Sequence, residues 1–203
     1  MTVRVKICGV TCAEDADAAI AAGADLIGLN FYPPSPRCLA LDAARRIRDV
    51  IGDRAQVVGV FVNAARGDIE ERLRALRLDL IQFHGDEEEG ELCGWPVPVI
   101  RALRVRGGEA PPAMSRTGAD FILLDTFHPS LYGGGGVARP LEELQGLDLS
   151  RVFISGGLNA ANVARAAALH PYAVDAASGV ESAPGIKDHL MLRSFVTNAK
   201  SAR

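Results

Sequence analysis

Short apolar runs alternate with helical stretches along the whole chain at a spacing of roughly 25 residues, the rhythm of a parallel sheet joined by crossover helices. Strands are expected over 3–8, 25–31, 56–62, 80–83, 97–103, 121–125, 152–155 and 172–176. Helices are expected over 13–22, 41–51, 68–76, 159–169 and 187–199, with weaker or shorter ones from Asp86, over 110–117 and around 141–144. Gly23 and Gly52 follow two of these helices directly and serve as C-terminal stops. Several strands, such as Val57-Val58-Gly59-Val60-Phe61-Val62 and Phe121-Ile122-Leu123-Leu124, carry no polar alternation, as expected when both faces of a sheet are covered.

Eight such units within 203 residues place the chain at the lower size limit of an α/β, single-domain (β/α)8 TIM barrel. An open doubly wound sheet is the competing architecture. It would usually carry a G-x-G-x-x-G turn after the first strand, and here only Gly9 follows. The barrel is therefore expected, as one domain over residues 1–203 with no linker. Aromatic residues make up only 5% of the chain, so Val, Ile, Leu and Ala must fill the core.

A formal net charge of -3 argues against a general nucleic-acid or anionic-membrane binder. No apolar run approaches the roughly 18–20 residues a membrane span needs, and no apolar leader follows Arg4 and Lys6. Cys8, Cys12, Cys38 and Cys93 form no C-x-x-C pair and read as reduced thiols of a cytoplasmic protein.

Barrel enzymes work at the C-terminal ends of their strands. That rule selects Cys8, Asn30, Asn63, Gln82 with His84, Arg101, Asp125, Ser155 and Ser178 as candidates. Gly156 and Gly157 follow the seventh strand, Ser178 and Gly179 the eighth; bare backbone N–H groups there suit a phosphate cradle, although glycines also simply make turns. Cys8 shares a strand face with Lys6, whose ammonium favours the thiolate while burial opposes it; a small buried thiol is the plainer alternative. Asp125 ends an apolar strand, where a carboxylate is costly without a partner or a task, and desolvation favours the proton-carrying form a general acid needs.

Asp175 reads as a structural partner for a buried lysine, with Lys6 as its counter-ion. Arg37 has a guanidinium suited to clamping a carboxylate or phosphate with two parallel bonds. The acidic run from Asp86 to Glu89 reads as a solvated helix start, and no His, Asp or Glu pattern has metal-ligand spacing. The Gly133–Gly136 run reads as a connector or a lid.

In order along the chain, Lys6-Ile7-Cys8-Gly9, Pro33-Pro34-Ser35-Pro36-Arg37, Gly59-Val60-Phe61-Val62-Asn63, Gln82-Phe83-His84-Gly85-Asp86, Leu124-Asp125-Thr126, Tyr132-Gly133-Gly134, Ser155-Gly156-Gly157 and Ser178-Gly179-Val180-Glu181 closely resemble the phosphoribosylanthranilate isomerases. Each motif alone is weak; eight in sequence are specific. The resemblance implies a (β/α)8 barrel of tryptophan biosynthesis. Such an enzyme rearranges N-(5-phosphoribosyl)anthranilate to 1-(2-carboxyphenylamino)-1-deoxyribulose 5-phosphate, an Amadori rearrangement, without cofactor or metal. It further implies Cys8 as general base, Asp125 as general acid, Arg37 on the anthranilate portion, and Gly156, Gly157, Ser178 and Gly179 on the phosphate. The expected partner is a phosphorylated small molecule, with no nucleic acid or membrane, and the protein is expected to be a monomer or homodimer.

Two segments depart from the family pattern. Gly135 to Leu141 lacks the usual Phe-Asp-Trp, and Ala176-Ala177-Ser178-Gly179 has one hydroxyl fewer, so a looser sixth loop and weaker substrate binding are expected. A different phosphate-binding barrel enzyme would need Lys/Glu pairs or metal-binding sets at its strand ends, which are lacking here. A non-catalytic phosphate-ligand binder is disfavoured by the presence of both Cys8 and Asp125.

Overall fold

The computed structural model describes residues 2–105, 118–126 and 141–202. Eight parallel strands close into a barrel in sequence order: β1 (Arg4–Cys8), β2 (Leu26–Asn30), β3 (Gln56–Phe61), β4 (Leu80–Phe83), β5 (Val99–Val105), β6 (Phe121–Thr126), β7 (Val152–Ile154) and β8 (Ala173–Ala176). Outside them lie α1 (Ala13–Ala22), α2 (Leu41–Ile51), α3 (Arg66–Leu76), α4 (Val163–Ala167) and α5 (His189–Ser201). A small antiparallel pair, β9 (Glu181–Ala183) and β10 (Ile186–Lys187), follows β8. Among the described residues no helix is long and apolar enough to cross a membrane.

The core has two layers. Outward-facing strand residues such as Val5, Ile7, Ile27, Val57 and Ile81 pack with the helices. Leu26, Val58, Leu80, Ile100, Leu123, Phe153 and Ala173 form a separate cluster inside the barrel. Side chains alternate across a strand. Stepping two residues on from this interior layer therefore gives the next inward set, and on four strands it is polar: Leu80 leads to Gln82, Leu123 to Asp125, Phe153 to Ser155 and Ala173 to Asp175, whereas Leu26, Val58 and Ile100 lead to Gly28, Val60 and Ala102. An apolar plug thus fills the N-terminal half of the barrel, and chemistry-bearing side chains occupy the mouth.

At the opposite end, three even-numbered strands are preceded by an aspartate that accepts the first free N–H of the strand before it. Asp25 takes Val5 N–H at 2.8 Å, Asp79 takes Val57 N–H at 2.7 Å and Asp120 takes Val99 N–H at 2.9 Å. These contacts satisfy backbone donors that the staggered parallel ladder leaves over.

Several helical expectations need correction. After β4 there is only a single 3₁₀ turn over Glu89–Leu92. Glu87 is buried, and its carboxylate accepts from the N–H groups of Asn63 (2.8 Å) and Gly85 (2.9 Å) and from Arg101 (2.9 Å), so the acidic run is partly a loop clamp. Leu141–Leu144 is likewise one 3₁₀ turn. α4 spans five residues rather than eleven because Asn159 and Asn162 side chains take the N–H groups of Ala161 (2.9 Å) and Asn159 (2.8 Å), competing with helix formation.

The last helix starts at His189, not Lys187, because Asp188 caps it by accepting from Leu190 N–H and Met191 N–H, both at 2.9 Å. The helix expected over 110–117, the Gly133–Gly136 run and the altered sixth-loop segment up to residue 140 lie outside the described residues.

Candidate active site

At the C-terminal mouth of the barrel a cavity of about 390 Å³ is lined by Cys8, Asn30, Arg37, Gln82, His84 and Asp125, among others. It shares Asp125, Ser155, Asp175 and Ala177 with a smaller recess formed by Gly156, Gly157, Ser178 and Gly179. The structure therefore places Cys8, Arg37 and Asp125 around the cavity and Gly156, Gly157, Ser178 and Gly179 around the adjoining recess. Asn63 and Arg101, also at strand ends, line neither. Asn63 accepts from Asp86 N–H at 2.8 Å, and Arg101 is spent on Glu87.

Cys8 ends β1 against the bare backbone of Gly28 on β2; a Cβ at position 28 would lie 2.9 Å from the sulfur. The thiol is pushed up from its ordinary value by burial, which outweighs the opposing Lys6 ammonium; Asp175 adds to the rise and Lys187 opposes it. Lys6 is fully buried, with Nζ 2.8 Å from Asp175 Oδ1, the pair foreseen from the sequence. Ser155 Oγ donates to the other Asp175 oxygen at 3.0 Å, so both oxygens are engaged.

Asp125 ends the described apolar stretch of β6, three strands from β1 by the shorter way round the barrel. Its Oδ2 lies 3.2 Å from His84 Nε2, and His84 Nδ1 lies 2.9 Å from the Gln82 amide nitrogen. With that amide donating to Nδ1, the hydrogen of a neutral imidazole sits on Nε2 and points at Asp125. Gln82 and His84, two residues apart on one strand face, thus act as a chain ending on the carboxylate.

Arg37 reaches the cavity from the loop after β2. Its Nε and Nη2 donate to Glu181 Oε1 (2.8 Å) and Oε2 (2.6 Å). The two-bond fork expected for a ligand is therefore made to a protein carboxylate, and this contact holds the guanidinium above its ordinary value. The stem of Arg37 passes over Gly9, where φ is +70° and any Cβ would collide with Cδ. Asn30 shapes the same loop, accepting from Tyr32 N–H at 2.8 Å and donating to Ser35 Oγ at 3.3 Å.

Gly156 and Gly157 have φ of 82° and 65°, a left-handed backbone that glycine adopts without strain. At Gly179 a Cβ would run into the carbonyl oxygen of Leu158, so the loops after β7 and β8 touch only because that position is bare. Both loops line one recess, and glycine-rich loops of this kind can offer bare backbone N–H groups to an anion.

Glu181 and Lys187 were missed by the strand-end rule. They lie on the β9–β10 hairpin, whose strands of three and two residues leave no periodic trace. Cys12, Cys38 and Cys93 are free and do not line the cavity. Among the described residues no group of three or more His, Cys, Asp or Glu side chains is arranged to hold a metal ion.

Residues 5–198 match the family model of N-(5'-phosphoribosyl)anthranilate (PRA) isomerase. The chain is 50% identical to N-(5'-phosphoribosyl)anthranilate isomerase of Myxococcus xanthus, with 99% of this chain and 98% of that one covered. It superposes on the crystal structure of phosphoribosyl anthranilate isomerase from Thermus thermophilus with a TM-score of 0.89 at 37% identity, covering 99% and 100% of the two chains. A second solved isomerase, in complex with reduced 1-(o-carboxyphenylamino)-1-deoxyribulose 5-phosphate, matches with a TM-score of 0.77 at 34% identity over 98% of each chain. With a closed eight-stranded barrel, a polar mouth and full-length likeness at this level, the chain belongs to the N-(5'-phosphoribosyl)anthranilate isomerase family.

Proposed function

We propose that Asp125 is the general acid and Cys8 the general base in the reaction this chain catalyses. That reaction is the isomerisation of N-(5-phosphoribosyl)anthranilate to 1-(2-carboxyphenylamino)-1-deoxyribulose 5-phosphate in tryptophan biosynthesis. The observation that carries the reading is that both side chains line one cavity, and that this cavity runs into the glycine-rich recess. Asp125 gives its proton to the ring oxygen as the ribose opens and the anilino nitrogen becomes an iminium. Cys8 then takes the proton from carbon 2, leaving an enolamine that tautomerises to the ketone. General acid–base help of this kind contributes about 10²–10⁴-fold per group.

The surroundings suit those roles. His84 donating to Asp125 stabilises the carboxylate left after proton transfer, and Lys6 supplies positive charge beside the thiolate. A buried thiol is a strong base once ionised, so the raised value of Cys8 serves abstraction of a carbon-bound proton. Backbone N–H groups of Gly156, Gly157 and Gly179, with the Ser178 hydroxyl, hold the phosphate. Arg37, already forked onto Glu181, presents its remaining N–H groups to the anthranilate carboxylate. Anchoring both ends of the substrate positions the sugar carbon between acid and base.

The ligand class is a phosphorylated small molecule, like the reduced product bound by the solved relative. Nucleic acid and membrane are not partners in this reading, the compartment is the cytoplasm, and the protein is a monomer or a homodimer. The isomerase of Thermotoga maritima is dimeric and has also been generated as monomers.

The test is the anthranilate fluorescence of the substrate. Catalytic amounts of the protein are expected to abolish it over many turnovers, and the Cys8→Ala protein is expected to leave it almost unchanged. A signal that falls only in proportion to protein added would instead mark a binder.

A further inference from the structure

The Lys187 ammonium is fully buried and does not line the cavity. It is nonetheless tied to three parts of the site. Nζ donates to the carbonyl of Cys8 at 2.7 Å, to the carbonyl of Ala177 at 3.1 Å and to Glu181 Oε1 at 2.7 Å. Three acceptors at these distances call for three N–H donors, which an ammonium has and a neutral amine lacks. Cys8 carries the thiol, Ala177 leads into the phosphate recess, and Glu181 holds the fork of Arg37.

Taking a charge out of water is costly, and an apolar side chain would fill the same space without that cost. A lysine at this position therefore calls for a function beyond packing. The charges facing the thiol come from four elements: Lys6 on β1, Asp175 on β8, Lys187 on β10 and Arg37 in the loop after β2. Glu181 completes the set by neutralising one of the two cations that share it. Three cations and two carboxylates leave one surplus positive charge, and a single thiolate at Cys8 balances it.

We propose that Lys187 is a positioning residue for the isomerisation: its buried ammonium fixes the end of β1 and Glu181 together, and so sets the Cys8 thiolate and the Arg37 guanidinium against one substrate. The proposal rests on the reading of Cys8 as the base. Without Lys187 the surplus charge disappears and the thiolate becomes an unbalanced buried anion. Glu181 also loses one of its two cations, and Arg37 is held less firmly.

The experiment compares wild-type protein with Lys187→Met, following alkylation of Cys8 by iodoacetamide against pH and quantifying the Cys8 peptide by mass, because the other three thiols are also free. The pH midpoint is expected to rise by about one unit, equivalent to about tenfold slower alkylation at a fixed pH below it. The ascending limb of kcat/KM is expected to move with it, and KM for substrate to rise.

A folded Lys187→Met protein with an unmoved alkylation midpoint overturns the proposal, because a purely structural lysine changes thermal stability and not thiol ionisation. A midpoint that rises while the kcat/KM limb stays in place locates the failure in the reading of Cys8 as base. Should Lys187→Met not fold, Lys187→Gln, which keeps two donors but no charge, carries the same expectation.

Discussion

Lys6 and Asp175 stand side by side in the β1–β8 register, with Nζ 2.8 Å from Oδ1 and both side chains almost wholly removed from solvent. Burial alone would lower the lysine, but Asp175 and Cys8 outweigh it and hold the ammonium above its ordinary value. Removing one partner of such a pair strands the other charge, at a cost of about 3–5 kcal/mol, whereas replacing both with apolar residues is often close to neutral. Asp175→Asn is therefore expected to lower stability in urea denaturation by that order, and Lys6→Met with Asp175→Leu to recover most of it. The double variant is expected to stay inactive, because Cys8, the proposed base, has lost the ammonium that most favours its ionised form. A double variant no more stable than Asp175→Asn would show that the pair itself stabilises the barrel.

Gly179→Ala places a methyl group on the Leu158 carbonyl oxygen and 3.3 Å from Asn159 Cα, so the loops after β7 and β8 must part. Both line the same recess, the proposed phosphate site. KM for substrate and the inhibition constant for ribose 5-phosphate are expected to rise together by about tenfold, equivalent to about 1.4 kcal/mol, with a smaller change in kcat. Steady-state kinetics checks this, and a fall in kcat at unchanged KM would contradict it.

Burial raises the Glu181 carboxyl, but Arg37 and Lys187 together outweigh burial and hold it below its ordinary value. The unfolded chain therefore binds the proton more readily. The stability that this group contributes is present above the ordinary carboxylate range and is lost as pH falls through its lowered value. Glu181→Gln is expected to be less stable than wild type at pH 7, with the difference shrinking as the pH is taken toward 3. Denaturation at a series of pH values measures it; a difference that is constant with pH would contradict the pairing.

The barrel was legible because the strand–helix rhythm and glycine stops survive in the local sequence, and the strand-end rule alone picked out Cys8, Gln82 and Asp125, which the structure places around the mouth above an apolar layer. The Lys6–Asp175 pair was legible because a carboxylate inside the last strand needs a buried counter-ion. What the strand-end rule does not report is which strand-end polar groups are consumed by loops. Asn63 and Arg101 look like site residues until Asp86 N–H is seen to take the Asn63 side chain and Glu87 the Arg101 guanidinium.

Glu181 and Lys187 escaped for a related reason. The Arg37–Glu181 contact spans 144 positions and is made by a hairpin too short for any pattern, and Lys187 resembled a helix start when Asp188 was in fact the cap. Helix lengths were overestimated where asparagine or glutamate side chains claim backbone N–H groups.

The most direct measurement is kcat for Cys8→Ala and for Asp125→Asn, each paired with the dissociation constant of the reduced product analogue. Both variants are expected to lose at least about 10²-fold in kcat while binding the analogue nearly as tightly as wild type. Near-wild-type turnover in either variant would contradict the assignment of base and acid.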